Sequence, residues 1–231
     1  MDNDYNQKRI NPPVWQHDYH VLKRLYGILK ILSAKIPVNA FIVDYGCGTS
    51  PYMHLFQKKA KRFLKIDIGR NKNADISIKE NQSLPLKNNS AEVVLSTQVL
   101  EHVNNLPLYL SEASRILKKN GFLLLSTHGI WPYHPSPFDY YRFTSIGLRK
   151  EVEKYGFRTL KFYSILGSFA SISQFTLLLI AERFKDGHVF AKILLACISL
   201  IGNTLIWIED KLAPSSNNSD AAVYLIWAVK K

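Results

Sequence analysis

The stretch Phe-Ile-Val-Asp-Tyr-Gly-Cys-Gly-Thr, residues 41–49, decides the fold of this 231-residue chain. Its first three residues form a short apolar run typical of a buried strand, and a turn with glycines at 46 and 48 follows at once. Such glycines let the backbone approach a ligand closely, and a helix beginning after the turn offers unpaired N–H donors. Pro51 occupies the third glycine position of a G-x-G-x-x-G motif, which disfavours a nicotinamide dinucleotide as the ligand.

An acid follows at the end of the next predicted strand. Residues 63–67 are largely apolar and end in Asp67, about twenty residues beyond the turn. A carboxylate at this spacing is placed to accept hydrogen bonds from a ribose diol. Turn and acid together therefore predict a nucleoside-containing ligand.

Strand and helix patterns alternate along the chain, which predicts an α/β sheet covered by helices on both faces. The last two strands are expected to pair at one sheet edge. Predicted strands are 41–43, 63–67, 74–77, 92–96, 122–127, 157–165 and 222–229, and predicted helices are 14–35, about 52–61, 106–117 and 144–156. Gly121 is predicted to stop the third of these helices.

Four segments in order carry a resemblance to a known family. They are residues 43–52, 65–69, 83–103 and 112–127. Over about 40–165 and the last strand, the chain resembles class I S-adenosylmethionine-dependent methyltransferases of the type 11 group. The resemblance implies a Rossmann-like, seven-stranded, mostly parallel sheet with an antiparallel last strand. It also implies S-adenosyl-L-methionine as the cofactor.

The same resemblance implies which residues hold the cofactor. Asp44 would anchor the ammonium end and Asp67 the ribose hydroxyls, while Gln98 would face the methionine or the transferred methyl. Glu101 and His102 match an acid–histidine pair of the family that braces the site or acts in the reaction. The full set of implied cofactor-binding residues is Asp44, Gly46, Cys47, Gly48, Asp67, Glu80, Asn81 and Gln98, with Glu80 standing where the family commonly has Asp.

The acceptor is expected at the loop 128–143, which follows the fifth strand. Methyl transfer from a sulfonium requires that the acceptor atom, the methyl group and the sulfur lie in line. Many acceptors must also lose a proton. His128 or His134 is the candidate general base, and Asp139 is a further catalytic candidate that alternatively pairs with Arg142 to order the loop. The string of residues 134–144 resembles methyltransferases of bacterial cell-surface glycan pathways.

The two cysteines, Cys47 and Cys197, exclude a disulfide framework and a Cys-x-x-Cys site. Cys47 lies in the glycine turn and Cys197 in an apolar helix, so a cysteine nucleophile is not expected. We predict no metal and a cytoplasmic location. The polar N-terminus lacks the apolar core of a secretory signal.

The charge is strongly positive, with 30 Lys and Arg against 18 Asp and Glu. A net charge of +12 favours an anionic partner such as a phospholipid surface, a phosphorylated substrate or a nucleic acid. Nucleic acid is the least favoured of these because no RNA-binding module is recognisable.

An apolar insertion lies before the last strand. Residues 162–181 and 193–208 contain no charged side chain. We expect a cap at 1–36, a methyltransferase domain at 37–165 and 220–231, and the insertion at 166–213. The insertion is predicted to be a lid over the acceptor, a monotopic hairpin on the inner membrane face, or a homodimer interface; its length disfavours two membrane spans.

The predicted reaction is methyl transfer to an oxygen of a small or lipid-linked acceptor, such as a glycan intermediate. Three alternatives stay open at this point: carbon methylation of a prenylated quinone, RNA methylation or nucleic-acid binding through the basic surface, and a non-catalytic membrane scaffold.

Overall fold

The computed structural model describes residues 2–184, 187–216 and 220–231, which form a seven-stranded sheet between two helical layers. The strand order is β3-β2-β1-β4-β5-β7-β6, with β7 antiparallel to both β5 and β6 and the other neighbours parallel. The strands are β1 (Ala40–Tyr45), β2 (Ala60–Ile68), β3 (Ile76–Ile78), β4 (Ala91–Thr97), β5 (Leu117–His128), β6 (Phe157–Ile165) and β7 (Val223–Lys230). The predicted fold class is confirmed.

Seven helices are described. They are α1 (Asp2–Ile10), α2 (Tyr19–Ser33), α3 (Met53–Phe56), α4 (Leu106–Ile116), α5 (Ser145–Glu153), α6 (Ser168–Phe184) and α7 (Val189–Leu212). The helix predicted at 52–61 is one α-helical turn, α3, followed by a 3-10 turn at Gln57–Lys59, and it ends there because Ala60 already pairs with Ala40 in the sheet. Helix α1 was not predicted, since its polar sequence lacks an apolar stripe.

Gly121 does not stop a helix. Helix α4 ends at Ile116, and Gly121 lies inside β5, where an added Cβ would be 2.9 Å from Lys118 O and 3.1 Å from Glu92 O. The glycine is therefore needed because two backbone segments approach it closely.

Alternate residues of the central strands bury their side chains in different layers. Val43 packs in the cluster that includes Leu110 of α4, whereas Ile42 packs in the cluster that includes Leu29 of α2. Burying such an aliphatic side chain fully stabilises the folded state by about 1.5–3 kcal/mol relative to leaving it exposed. Because β1, β2, β4 and β5 run parallel to one another, their carboxyl ends meet at one edge of the sheet.

Candidate active site

A cavity of about 880 Å³ lies at this edge. Ligand sites for small molecules typically span about 300–1,000 Å³, so the cavity has room for a nucleoside and part of an acceptor. Ten predicted site residues line it: Gly46, Cys47, Gly48, Asp67, Glu80, Asn81, Gln98, His102, His128 and His134. Asp44, Glu101 and Asp139 are not among the described lining residues.

The glycine turn is held firmly on one side and open on the other. The Gly46 and Cys47 amides both donate to Ile66 O, at 2.8 and 3.1 Å. Gly46 has φ +77°, and a Cβ there would lie 2.5 Å from Val99 Cγ1. Gly48 has φ +52° and no neighbour within 4 Å of its Cβ position. The turn therefore requires glycine twice, at 46 for packing and at 48 for backbone conformation beside open space.

Asp67 reaches the same turn from the end of β2. Its Oδ2 accepts hydrogen bonds from the Gly48 amide at 2.9 Å and from Asn71 Nδ2 at 2.6 Å. Asn71 also donates to Gly48 O at 2.7 Å. The predicted proximity of turn and acid is present in the structure, and Asn71 is a further member that the sequence pattern did not single out.

Asp44 lies buried beneath the turn. Its Oδ2 accepts a hydrogen bond from Ser50 Oγ at 2.5 Å. Burial raises the pKa of Asp44 to about 6, and the negative charge of Asp67 adds to the rise. At neutral pH this carboxylate is ionised although burial disfavours its charge, so a nearby cation would stabilise it. The ammonium group of the cofactor is such a cation.

We expect Asp44→Asn to stabilise the protein without cofactor at pH 7.5. The carboxyl's pKa is about 6 in the folded state and near 3.9 in an unfolded chain. Ionisation therefore lowers stability by on the order of 3 kcal/mol above pH 6, and by nothing below about pH 4. Asparagine keeps an acceptor for Ser50 and cannot ionise. Urea unfolding at pH 7.5 and at pH 4 measures the effect.

The gain in unfolding free energy should be present at pH 7.5 and absent at pH 4. Glu153→Gln, which changes an exposed acid of α5, is the control and should shift stability by less than about 0.5 kcal/mol. An equal effect of Asp44→Asn at both pH values would show that burial of the charge is not its cause.

Glu101 is paired with His128 more closely than with its sequence neighbour His102. His128 Nδ1 lies 3.0 Å from Glu101 Oε1, whereas His102 Nε2 lies 4.0 Å from the same oxygen. Thr127 Oγ1 donates to Glu101 Oε2 at 2.8 Å. Burial by itself raises the pKa of Glu101, but His128 and Thr127 outweigh it and bring the value to about 2. A carboxylate with no exposed surface thus stands behind the imidazole of His128.

His134 is held neutral at neutral pH. Burial, with the neighbouring His128 and His102 rings, lowers its pKa to about 4. The His134 ring meets those two rings edge-on, at centroid distances of 4.7 and 4.9 Å. On the other side of these three histidine rings, Trp131 stacks on His128 with the ring centroids 4.5 Å apart.

Asp139 orders the loop rather than facing the cavity. Arg142 Nη1 and Nη2 donate to its two carboxylate oxygens, each at 2.6 Å, and the His134 amide donates at 2.9 Å. Arg142 also donates to Trp131 O at 2.8 Å and Pro132 O at 2.7 Å. The alternative in which Asp139 pairs with Arg142 is therefore the one that the structure shows.

Helix α1 contributes residues that the sequence pattern missed. Tyr5 and Arg9 line the cavity, and Arg9 Nη1 donates to Tyr5 Oη at 2.7 Å. Asn6 Nδ2 donates to Thr49 O at 3.1 Å, so the helix is attached to the glycine turn. No pattern in the polar sequence of α1 could have predicted this contact.

Three side chains can hold a metal ion. Ligand atoms of Glu101, His102 and His134 lie within 4.8 Å of one another. Imidazole and carboxylate are common zinc ligands. No metal was predicted from the sequence, because His134 comes close to the other two residues only in the folded chain.

The chain matches the methyltransferase domain family over residues 15–161, more than half of its length, and belongs to that family. A relative named ubiquinone biosynthesis O-methyltransferase, from Pelagibacter ubique, is 30% identical over 122 residues, 47% of this chain and 50% of the relative. An uncharacterized protein of Methanocaldococcus jannaschii is 36% identical over 90 residues, 36% of this chain and 39% of that protein. The chain thus spans half the length of these curated relatives or less.

Solved structures share the fold. The cyclase SpnF has a TM-score of 0.60 at 17% identity, covering 90% of this chain and 82% of SpnF. An S-adenosylmethionine-dependent methyltransferase from Thermotoga maritima has a TM-score of 0.57 at 16% identity, covering 99% and 96%. One from Mesorhizobium loti has a TM-score of 0.54 at 14% identity, covering 89% and 97%.

The matched family is a methyltransferase domain family, and S-adenosylmethionine is the cofactor that the sequence predicts for it. The residues present fit this cofactor: the turn is open at Gly48, a carboxylate stands beside it at Asp67, and a second carboxylate lies beneath it at Asp44. The open turn lets the protein backbone approach the methionine part of the cofactor closely. Asp67 can accept hydrogen bonds from the ribose hydroxyls, and Asp44 can attract the ammonium group.

Proposed function

We propose that this methyltransferase acts on an oxygen of a small or lipid-linked acceptor, such as a glycan intermediate. The observation that carries the proposal is the buried pair Glu101–His128 at the cavity wall, since a hydroxyl acceptor must lose a proton. S-adenosylmethionine, when bound, supplies a methyl group activated on a sulfonium. His128 then takes the acceptor proton, while Glu101 orients its ring and stabilises the resulting imidazolium.

Other residues in the proposal position the reactants. Gly46, Cys47 and Gly48 hold the methionine part, Asp67 the ribose, and Glu80 with Asn81 the adenine. Gln98 also lines the cavity, and its side-chain Nε2 donates to Ser126 Oγ at 3.1 Å. Burial raises the pKa of the Cys47 thiol, so a cysteine nucleophile is disfavoured there.

A prenylated phenol is a second candidate acceptor. The support is the Pelagibacter ubique relative, whose name specifies O-methylation in ubiquinone biosynthesis. A phenolic hydroxyl would use the same base at His128, so the two candidates differ in acceptor and share the reaction. Carbon methylation of the ring also releases a proton, so it is distinguished from oxygen methylation by the bond that holds the new methyl.

Transfer of labelled methyl to fractionated extract of cells lacking the protein tests the proposal. We expect label in the lipid phase or in small glycans, and hydriodic acid should release it as methyl iodide because the new bond is an ether. Label that resists hydriodic acid would identify carbon methylation. Label in the RNA fraction, or none in any fraction with folded, cofactor-binding protein, would overturn the proposal.

A further inference from the structure

Helix α7 is apolar toward solvent and polar toward the protein. Ser199, Asn203, Ile206 and Asp210 are its buried residues, and their spacing places them on one side of the helix. The rest of the helix surface exposes large apolar side chains: Val189, Phe190, Ile193, Leu194, Leu200, Ile201, Leu205, Trp207, Ile208 and Leu212. Helices on the surface of proteins in water have the reverse arrangement.

Specific bonds fix this orientation. Asn203 Nδ2 donates to Val14 O at 2.8 Å and to Gln16 O at 2.9 Å, on the segment before α2. Asp210 accepts the Gly167 amide at 2.9 Å and pairs with Arg24 of α2. Turning the apolar face inward would break all of these contacts, so exposure of that face belongs to the folded state.

Helix α6 repeats the arrangement. Ser171 and Gln174 are buried, and Gln174 Nε2 donates to His17 O at 2.8 Å. Phe169, Ile172 and Leu179 are exposed. The two helices pack together, since a Cβ at Gly202 would lie 3.0 Å from Leu177 Cδ2. Their apolar faces belong to one packed helix pair, and we call it the α6–α7 hairpin.

The surface of the α6–α7 hairpin is compatible with lipid because its exposed threonine hydroxyls are hydrogen-bonded within the helices and need no water. Thr204 Oγ1 donates to Leu200 O at 2.8 Å, and Thr176 Oγ1 donates to Ile172 O at 3.0 Å, each within its own helix. Hydrocarbon requires that polar groups be satisfied internally. Contiguous exposed apolar patches larger than a few hundred Å² are rare on proteins that stay in water.

Charge complements the apolar face. Arg183, Lys192 and Lys211 are exposed near the helix ends, together with one acid of α6, Glu182, and Lys211 Nζ lies 3.9 Å from the Trp207 ring centroid. Tryptophan with lysine or arginine is enriched where protein meets lipid headgroups. A chain with net charge +12 adds attraction to an anionic surface.

We propose that the α6–α7 hairpin docks on an anionic lipid bilayer and lies in its interfacial plane. Helix α7 is the one described helix long and apolar enough to cross a membrane. Its buried side is nevertheless bound along its C-terminal half to the protein, which favours lying flat over spanning. Leu178 of α6 lines the cavity, so the bilayer would adjoin the cavity; delivery of a lipid-linked acceptor through this side rests on the proposed function.

Sedimentation of the full chain with vesicles tests the docking. Wild type should bind vesicles of phosphatidylglycerol and phosphatidylcholine, and bind pure phosphatidylcholine at least about fivefold less. The double variant Phe190→Asp/Ile201→Asp should lose at least about tenfold in affinity for the anionic vesicles. The matched control Val38→Asp/Ile146→Asp changes two apolar residues that are also exposed, outside the hairpin, and should bind within twofold of wild type.

Cofactor binding by each variant, measured by calorimetry, shows that the fold is intact and is independent of the acceptor. A polarity-sensitive dye on Cys197, an exposed thiol on the apolar side of α7, should shift its emission to the blue with anionic vesicles. Failure of wild type to sediment, or equal binding by both double variants, would overturn the docking. So would a dimer in lipid-free ultracentrifugation that the hairpin variant abolishes, because the face would then be a subunit interface.

Discussion

Replacing His128 by asparagine is expected to lower kcat by about 10²- to 10⁴-fold, the range that a positioned general base contributes. Asparagine is close to histidine in size and can occupy the site beside Trp131, but it cannot accept a proton at neutral pH. Cofactor affinity should change by less than about threefold, because His128 lies on the acceptor side of the cavity. Steady-state kinetics with the identified acceptor and calorimetry with S-adenosylmethionine measure the two effects separately.

Glu101→Gln should reduce kcat by a similar order, since it removes the charge that stabilises the imidazolium while keeping the side chain's shape. Residues that act as one unit are strongly non-additive, so the double variant should be scarcely slower than either single variant. His54→Asn is the control, because His54 contacts Tyr26 and does not line the cavity. A His128→Asn enzyme within twofold of wild type, with an unchanged rate–pH profile, would contradict the assignment of the base.

Gly46→Ala is expected to weaken S-adenosylmethionine binding by at least about 100-fold. The new Cβ would lie 2.5 Å from Val99 Cγ1, and φ of +77° is strained for alanine. The turn must move to relieve both, and the Gly46 and Cys47 amides then lose Ile66 O as their acceptor. Calorimetry gives the affinity, and thermal unfolding shows that the variant is folded.

Gly69→Ala separates packing from backbone strain. Gly69 has φ +65° but no atom within 4 Å of its Cβ position, and it does not line the cavity. We expect this control to lose about 1–2 kcal/mol of stability and no cofactor affinity. Adding Val99→Ala to Gly46→Ala should restore part of the binding. Normal binding by folded Gly46→Ala would show that the turn does not hold the cofactor.

The sheet was predictable because its signals are local. Apolar runs bounded by turn residues located all seven strands, and residues 157–165 match β6 at both ends. The errors arose where contacts with residues far away in the sequence determine the local structure. Ala60 pairs with Ala40 in the sheet, so the helical segment predicted to 61 ends at Lys59. Gly121 lies against Glu92 O of the neighbouring strand β4 rather than ending a helix.

The proximity of the glycine turn and Asp67 was predictable for the same reason, since the two follow consecutive strands. The acceptor side was less so. Glu101 follows β4 and His128 ends β5, two neighbouring strands, and the sequence gives no sign that Glu101 favours His128 over the adjacent His102. Helix α1 reaches the site through Tyr5 and Arg9, whose polar surroundings carry no periodic signal.

The position of β7 between β5 and β6 has a consequence for biosynthesis. During translation, α6 and α7 are synthesised before the strand that joins β5 to β6. Until β7 joins the sheet, β5 and β6 each have an edge without a partner strand, which makes the unfinished chain prone to aggregation. Docking of the α6–α7 hairpin on lipid would shield its apolar side chains until β7 joins the sheet. The membrane would then assist folding as well as the reaction.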